Sequence, residues 1–384
     1  MKKFFVVLVA LLATAAMVAP AFAEDRLSLG GEMRVRGWHQ DLGGNSTMTW
    51  ADQRLRIGGK LSIADGVSVT FRTDVTEANW GSAGPASNGS GRFAQHWDRA
   101  HIDLVSGNFH LRAGQQYVAF GNATVDHQSN GLLADLKAGA GKFTVFSMLD
   151  DDMGSKVNSD GFTSGLQFAM KNFSVFLANQ NSSLTATENA YVIGATMNLD
   201  LGAVALKGEL DTFTGDFDAN TDATGTQLMF GASMVPSDTF TLGAEIFYAT
   251  SNDQANEVRY SSLGSGFGGW DAVFDVGTAL SNEQLIDYAR VYDTFGNAGI
   301  MALRVNTGIK AGDAAKLGFS LCYEVPEDDD LSAYDYRMLV AGGLVYNVMD
   351  NTSLHFQVQY TINEVEVGSQ DDWLDVGTGL FVKF

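Results

Sequence analysis

Residues Gln53 to Val75 read QRLRIGGKLSIADGVSVTFRTDV. Two strictly alternating runs flank the turn Ala64-Asp65-Gly66. In the first run Leu55, Ile57, Gly59, Leu61 and Ile63 share one face, and Arg54, Arg56, Gly58, Lys60 and Ser62 the other. In the second, Val67, Val69, Phe71 and Val75 oppose Ser68, Thr70, Arg72 and Asp74. Successive strand side chains point to opposite faces, so this is a β-hairpin with one apolar and one charged face. Each arm has about 10 residues, the length a tilted strand needs to cross a bilayer.

The unit recurs on both sides. Upstream, Leu27, Leu29, Met33 and Val35 alternate with Glu32, Arg34 and Arg36. Downstream, alternation runs through Ala100–Leu104, Phe109–Gly114, Phe173–Asn179, Val204–Thr212, Ala315–Val325 and Leu354–Ile362 to the last residue. The pattern predicts about eighteen strands, with sixteen as the alternative. Short turns such as Ser106-Gly107-Asn108 and Lys171-Asn172 alternate with long polar loops such as Asn79–His96, Tyr117–Asn130, Asp150–Gly161, Thr214–Ala223 and Pro326–Ala333. That is an antiparallel meander, and in outer-membrane barrels the short turns are periplasmic. The longest connection, Ser251–Ala298, carries a helix pattern at Asn282–Asp293.

A secretory signal is legible at residues 1–23. Lys2 and Lys3 precede the apolar run Phe4–Val18, and Ala21-Phe22-Ala23 has the form of a cleavage site. The mature chain would start at Glu24 and form one barrel over residues 24–384. It keeps 22 of the 24 basic residues and all 45 acidic ones, for a net charge of −23. That balance disfavours nucleic acid as a partner. Cys322 is alone, which leaves no disulfide framework and no cysteine metal site. Plentiful Gly (43) and scarce Pro (4) suit many strands with tight turns.

Lipid or protein core could meet the apolar phase. The strand charges, among them Lys207, Glu209, Asp211, Glu245, Arg304, Glu324, Arg337 and Asp375, all fall in the opposite phase. A charge on the lipid face at mid-bilayer costs roughly 2–4 kcal/mol. The aromatics decide between the two. Phe109, Phe143, Phe173 and Phe240 follow short turns in the apolar phase, and Phe162, Tyr191, Tyr248, Tyr323, Tyr334 and Tyr360 sit at the long-loop ends. Two outward rings at the strand ends are interfacial girdles, whereas a core would hold its large rings at mid-strand. The expected fold is an all-β transmembrane antiparallel barrel in the Gram-negative outer membrane, with both termini periplasmic.

The closing stretch Trp373–Phe384, WLDVGTGLFVKF, resembles the last strand of Gram-negative outer-membrane proteins. There the terminal aromatic, here Phe384, is the signal read by the barrel-assembly machinery. Gln53–Ile57 with Trp80-Gly81, and Ala100–Leu104 with Leu111–Gln116 and Phe120-Gly121, resemble a porin family. That family includes homotrimeric porins of sulfate reducers and, more distantly, alginate-export-type channels. The resemblance covers about the first third of the mature chain and the last strand. It implies a homotrimer and a loop that folds towards the pore, here Tyr117–Asn130.

A barrel of this size encloses an aqueous channel whose lining charges set selectivity. Arg34, Arg36, Arg54, Arg56, Arg72, Arg99 and Arg112 share the inward phase of the first five strands and form a basic wall. Glu32, Asp74 and Asp103 on that wall would weaken its field, and Glu209, Asp211 and Glu245 form the expected acidic wall opposite. Trp38, Trp50, Trp80, Trp97 and Trp373 lie at long-loop ends, and counting phase turns all five inward. Indole faces stack on sugars or cations, and arginine binds carboxylates.

No catalytic constellation emerges. The six histidines have no metal-ligand spacing, and Ser353 and His355 share a face with no orienting acid. The acidic tips Asp150-Asp151-Asp152 and Glu327–Asp330 could bridge to lipopolysaccharide through a cation, but a solvated charge run suffices. No cofactor or metal is implied. The expected function is a porin passing small hydrophilic solutes. A channel selective for saccharides or small organic anions and a structural or adhesive barrel are the alternatives.

Overall fold

The computed structural model describes residues 26–44, 47–80, 96–122, 124–151, 160–182, 188–252, 254, 256–264, 294–365 and 371–384. The signal segment and the helix pattern at 282–293 lie outside these residues. The strands in chain order are β1 Leu27–Asp41, β2 Thr47–Ala64, β3 Val67–Asn79, β4 His96–Ser106, β5 Phe109–Phe120, β6 Val125–Ala138, β7 Gly141–Asp151, β8 Gly161–Ala169, β9 Phe173–Ser182 and β10 Glu188–Asp200. Then come β11 Val204–Asp218, β12 Thr221–Ser237, β13 Phe240–Ala249, the short β14 Glu257–Arg259 and β15 Leu263–Gly264, and β16 Ile300–Ala311. The last four are β17 Ala315–Val325, β18 Tyr334–Met349, β19 Thr352–Val365 and β20 Trp373–Lys383.

Without β14 and β15, eighteen strands form a closed antiparallel wall, the count the alternation predicts. The ring closes where β20 pairs with β1, from Glu32 opposite Lys383 to Asp41 opposite Leu374. Phe384 continues the seam by exchanging two backbone hydrogen bonds with Gly31, at 2.8 and 3.0 Å. A side chain at Gly31 would meet the Phe384 ring at 2.7 Å, so the last ring lies over a residue that has none. Closure leaves no unpaired edge, a condition for spanning a bilayer with strands.

The decisive hairpin forms as β2 and β3. Pairing of Ala64 with Val67 shortens its loop to Asp65-Gly66, and Gly66 takes the left-handed φ of 70° that such a two-residue loop requires. Outside the ring, Ile102, Val145, Val175, Ile193, Leu210, Ile246, Leu303, Leu321, Val340 and Phe356 are all exposed and all in the apolar phase. So continuous an apolar belt needs lipid. Phe109, Phe143 and Phe173 are exposed at its short-turn edge, and Phe162, Tyr191, Tyr323 and Tyr360 at the other. No helix among the described residues is long and apolar enough to cross a membrane.

Two expected loops are instead strand. β11 and β12 run on past Thr214 and Ala223 as a hairpin standing above the belt. The Tyr117–Asn130 segment is the end of one hairpin, β5 and β6, paired up to Phe120 opposite Val125. This hairpin bends into the barrel, as do β14 and β15. β14 pairs in parallel with Asp222–Thr224, and β15 with Val125 and Asp126 at the hairpin tip.

Candidate functional site

The alternation that gives each wall strand a lipid face gives it a lumen face. On β1 to β5 that face carries the arginines. The register sets Arg34 beside Arg54, Arg36 beside Asp52, Arg56 beside Asp74, Arg72 beside Arg99, and Asp103 beside Arg112. Arginine is therefore interleaved with carboxylate. Arg36 pairs with Asp52 at 2.9 Å, Arg54 with Glu32 at 2.8 Å, and Arg56 with Asp74 at 2.7 Å. Arg72 and Arg99 share Asp98, and Arg112 lies 3.8 Å from Asp135. Asp103 is held by Thr70 at 2.7 Å and His110 at 2.8 Å. Arg72 and Arg99 stay about one-third exposed, at 32% and 37%, while Arg36 is buried. The wall keeps a positive excess, and Arg72 and Arg99 are the most open of the paired arginines, with Glu32 comparably open at 30%.

The five tryptophans separate. Trp38 and Trp50 are cross-strand partners on the lumen face, stacked with centroids 5.8 Å apart and planes 9° apart. Trp38 donates to Asp52 at 3.1 Å, and the Arg36 guanidinium lies 4.7 Å from its ring centre. Trp373 faces inward too, with Arg337 5.0 Å from its ring centre. Trp80 and Trp97 do not. The register slips beside Val75 in β3 and beside Asp98 in β4, and each slip inserts one extra residue. Trp97 is thereby turned outward and meets Phe71 edge-on at 6.4 Å. Trp80 donates to Gln53 of the outward phase at 3.0 Å. Strict phase counting fails at these bulges.

The acids Glu209, Asp211 and Glu245 are not an open wall facing the arginines. All three are buried. Glu209 accepts from the Asn122 backbone N–H at 2.7 Å, from the Asn122 side chain and from the Thr124 hydroxyl at 2.7 Å. Asp211 lies 3.0 Å from the same hydroxyl and accepts from Gln227 at 3.0 Å. Glu245 is held between Arg304 and Lys207. Asn122 and Thr124 belong to the tip of the β5–β6 hairpin, so Glu209 and Asp211 anchor that tip across the lumen. Gly121 turns the chain there with φ 67°, and a side chain on it would overlap the Glu209 carboxylate.

An apolar core inside the lumen supports the hairpin, which the sequence reading missed. Phe146, Met148, Phe176, Val192 and Phe213 fill the lumen face of β7 to β11, and Val118, Phe120, Val125 and Leu263 pack on them. Phe120 meets Phe146 edge-on at 5.2 Å. A second core seats Phe295 and Ala298 against Met229, Phe247, Leu339 and Val345. Large apolar residues in the supposedly polar phase were the available signal. Water does not tolerate them on a pore wall, so something had to cover them.

Ser353 and His355 do approach, at 2.8 Å. The imidazole packs on Phe381, with centroids 4.3 Å apart, and no carboxylate among the described residues orients it. Asp328, Asp329 and Asp330 bring carboxylates together on a loop, where Asp328 caps a short 3₁₀ turn.

No protein-family model matches the chain, and no curated protein matches it either. Solved structures do. A BenF-like porin from Pseudomonas fluorescens Pf-5 aligns over 95% of this chain and 100% of its own, at 12% identity and a TM-score of 0.62. Acinetobacter baumannii OccAB4 aligns over 94% and 98%, at 12% identity and a TM-score of 0.62. Pseudomonas aeruginosa OpdK, solved with vanillate, aligns over 95% and 100%, at 11% identity and a TM-score of 0.59. At these identities the likeness establishes the fold, a closed eighteen-strand barrel of the porin type.

Proposed function

We propose that this protein is an outer-membrane channel that lets small hydrophilic solutes diffuse through its lumen. The reading rests on a closed barrel that keeps one lumen wall polar and partly exposed while two apolar plugs occupy others. Transport, not catalysis, suits a lumen with no nucleophile–base–acid set among the described residues. The short turns are then periplasmic, Phe384 serves the assembly machinery, and residues 1–23 export the chain. Homotrimeric assembly and the finer likeness to porins of sulfate reducers belong to the same proposal and rest on the sequence resemblance alone.

A second reading, preference for small organic anions, draws on a specific observation. Arg72 and Arg99 are each about one-third exposed, whereas Glu209, Asp211 and Glu245 are buried and bonded. The field beside these two arginines is then positive despite the net charge of the chain. Vanillate, present in the OpdK structure, is a carboxylate of that class. Single-channel recording across a salt gradient tests both readings. Stepwise conductance supports the channel, and a reversal potential of anion-selective sign supports the preference. A folded protein that inserts without conducting would leave the structural or adhesive barrel.

A further inference from the structure

The short-turn end of the lumen carries lysines where the middle carries arginines. Two hairpins each set a pair of lysines directly across from one another: Lys137 opposite Lys142 on β6 and β7, and Lys310 opposite Lys316 on β16 and β17. Neither ladder slips, so all four share the lumen phase of their strands. Like charges directly opposed across a sheet are destabilising unless something compensates them.

The first pair is compensated at one of its two members. Asp135, one lumen position further in, lies 3.3 Å from Lys142. Lys207, on the same end of the lumen, is held by Glu245. The second pair has no such partner. The next lumen positions on its strands are Gly308 and Gly318, themselves directly opposed. Neither lysine makes an ion pair among the described residues, and both are exposed. Bare backbone beside them leaves a recess of about 160 Å³, lined by Lys310, Lys316, Asp238, Thr239 and Thr241 and by the apolar Val235 and Ile309. In liquid terms that is room for about five waters. Asp238 edges the recess without pairing with either ammonium among the described residues.

We infer that this recess is an anion site at the periplasmic mouth, built to take a small oxyanion of two or more negative charges between the Lys310 and Lys316 ammonium groups. Each ammonium brings three donors and a compact charge. A doubly charged oxyanion supplies the compensation that Asp135 supplies in the other hairpin. The site lies eight wall strands from β6 and β7 and is separate from the arginines of β1 to β5. Both lysines stand in the lumen phase and are exposed, so a dissolved anion reaches them. The inference rests on the channel reading only for its role, which is to hold an anion at the exit.

Inorganic phosphate is the probe. Added to the periplasmic side of a bilayer holding the full-length protein, it should reduce chloride current, and it should do so more weakly from the other side. The double variant Lys310→Gln, Lys316→Gln should raise the half-blocking concentration about tenfold, the loss of roughly 1.4 kcal/mol of binding. The control Lys137→Gln, Lys142→Gln should change it less than about twofold. Equal change in both variants would mean a diffuse field and would overturn the site, as would unchanged block in the first. Thermal unfolding of the detergent-solubilised protein gives a readout independent of conduction. Phosphate should stabilise the wild type and not the Lys310, Lys316 variant, and equal stabilisation would also refute the site. A protein that carries no current but keeps this phosphate effect fails the channel reading and not the site.

Discussion

The Thr124 hydroxyl, at the tip of a hairpin from one wall, stands 2.7 Å from Glu209 and 3.0 Å from Asp211 on the wall across the lumen. One hydroxyl has one proton, so it can donate to only one of these carboxylates at a time. The hairpin is held by this contact, by Asn122 and by the apolar core beneath Phe120. Thr124→Val keeps the shape and removes the donor, leaving a buried carboxylate short of a partner at about 1–3 kcal/mol. The tip should then detach part of the time. Single-channel records should show a larger mean conductance and noisier open states. A trace identical to wild type would mean that the apolar core alone holds the hairpin.

Gly194 gives the same latch its room. A side chain there would overlap both the Phe176 ring and the Asp211 carboxylate, and both are packed in place. Gly194→Ala should destabilise the folded barrel by about 1–3 kcal/mol, the usual range for overpacking a filled core. Urea unfolding in detergent micelles measures it. Gly208, where an added side chain would meet nothing nearer than 3.5 Å and the backbone is ordinary, is the comparison for crowding alone.

Most of the wall was legible because its solvent imposes a simple code. Lipid outside and water or polar groups inside force a period of two on every strand, and Leu55 to Val75 display it without a break. Two things broke the code. Extra residues at Val75 and Asp98 shifted the phase, so Trp80 and Trp97 face away from the lumen although counting turns them inward. A bulge leaves no mark in hydropathy, only in pairing. The lumen plugs broke it differently. Phe146, Phe176 and Phe213 stand where a bare pore would need polar residues, and the segments that cover them lie far away in sequence. For the same reason Glu209 and Asp211 resembled an open acidic wall, since their partners Asn122 and Thr124 come from another hairpin.

The seam between Phe384 and Gly31 should matter for assembly more than for permeation. Deleting Phe384 removes two backbone bonds and the last outward ring of the girdle. The yield of folded, heat-modifiable barrel should fall under native expression, while any barrel that does form should conduct as wild type. Gly31→Leu should lower the yield for a different reason, because its side chain would meet the Arg56 backbone carbonyl at 2.5 Å as well as the Phe384 ring at 2.7 Å. Normal yield in both variants would remove the closing role assigned to Phe384.

Above the wall, Glu327 clasps the start of the long connection. It accepts from the Ser251 backbone N–H at 3.0 Å and from the Tyr248 hydroxyl at 3.1 Å. The hydrogen bonds from Ser251 hold this carboxyl below its ordinary value. A depressed folded value means the clasp is fully present above the unfolded value, about 4.3, and is lost as pH falls through the folded one. Because Glu327 lies near the surface, solvent keeps the effect small. Hydrogen exchange at Ser251 and Asn252, corrected for the intrinsic rate, should accelerate only on the acid side. Glu327→Gln should abolish that pH dependence, and a variant that retains it would assign the change to another group.

Selectivity can be divided between the indoles and the arginines, because the bulge at Asp98 provides an internal control. Trp50 stacks on Trp38 with one face and is only half-buried, so indole surface remains for a solute, whereas Trp97 points outward. If saccharides or aromatic carboxylates block the current by stacking, Trp50→Ala should weaken the block by about two- to tenfold, the range set by a stacking worth 0.5–1.5 kcal/mol. Trp97→Ala should leave it unchanged. The double change Arg54→Ser, Arg56→Ser acts on charge instead. It takes Arg54 and Arg56 from Glu32 and Arg56 from Asp74, which keeps His96 at 3.3 Å, so two cations are lost and Glu32 is uncovered. The reversal potential in a salt gradient should move towards cation selectivity. Adding Glu32→Gln to that variant should move it part of the way back. A reversal potential indifferent to all three changes would mean that the constricting hairpin, not the arginine wall, decides what passes.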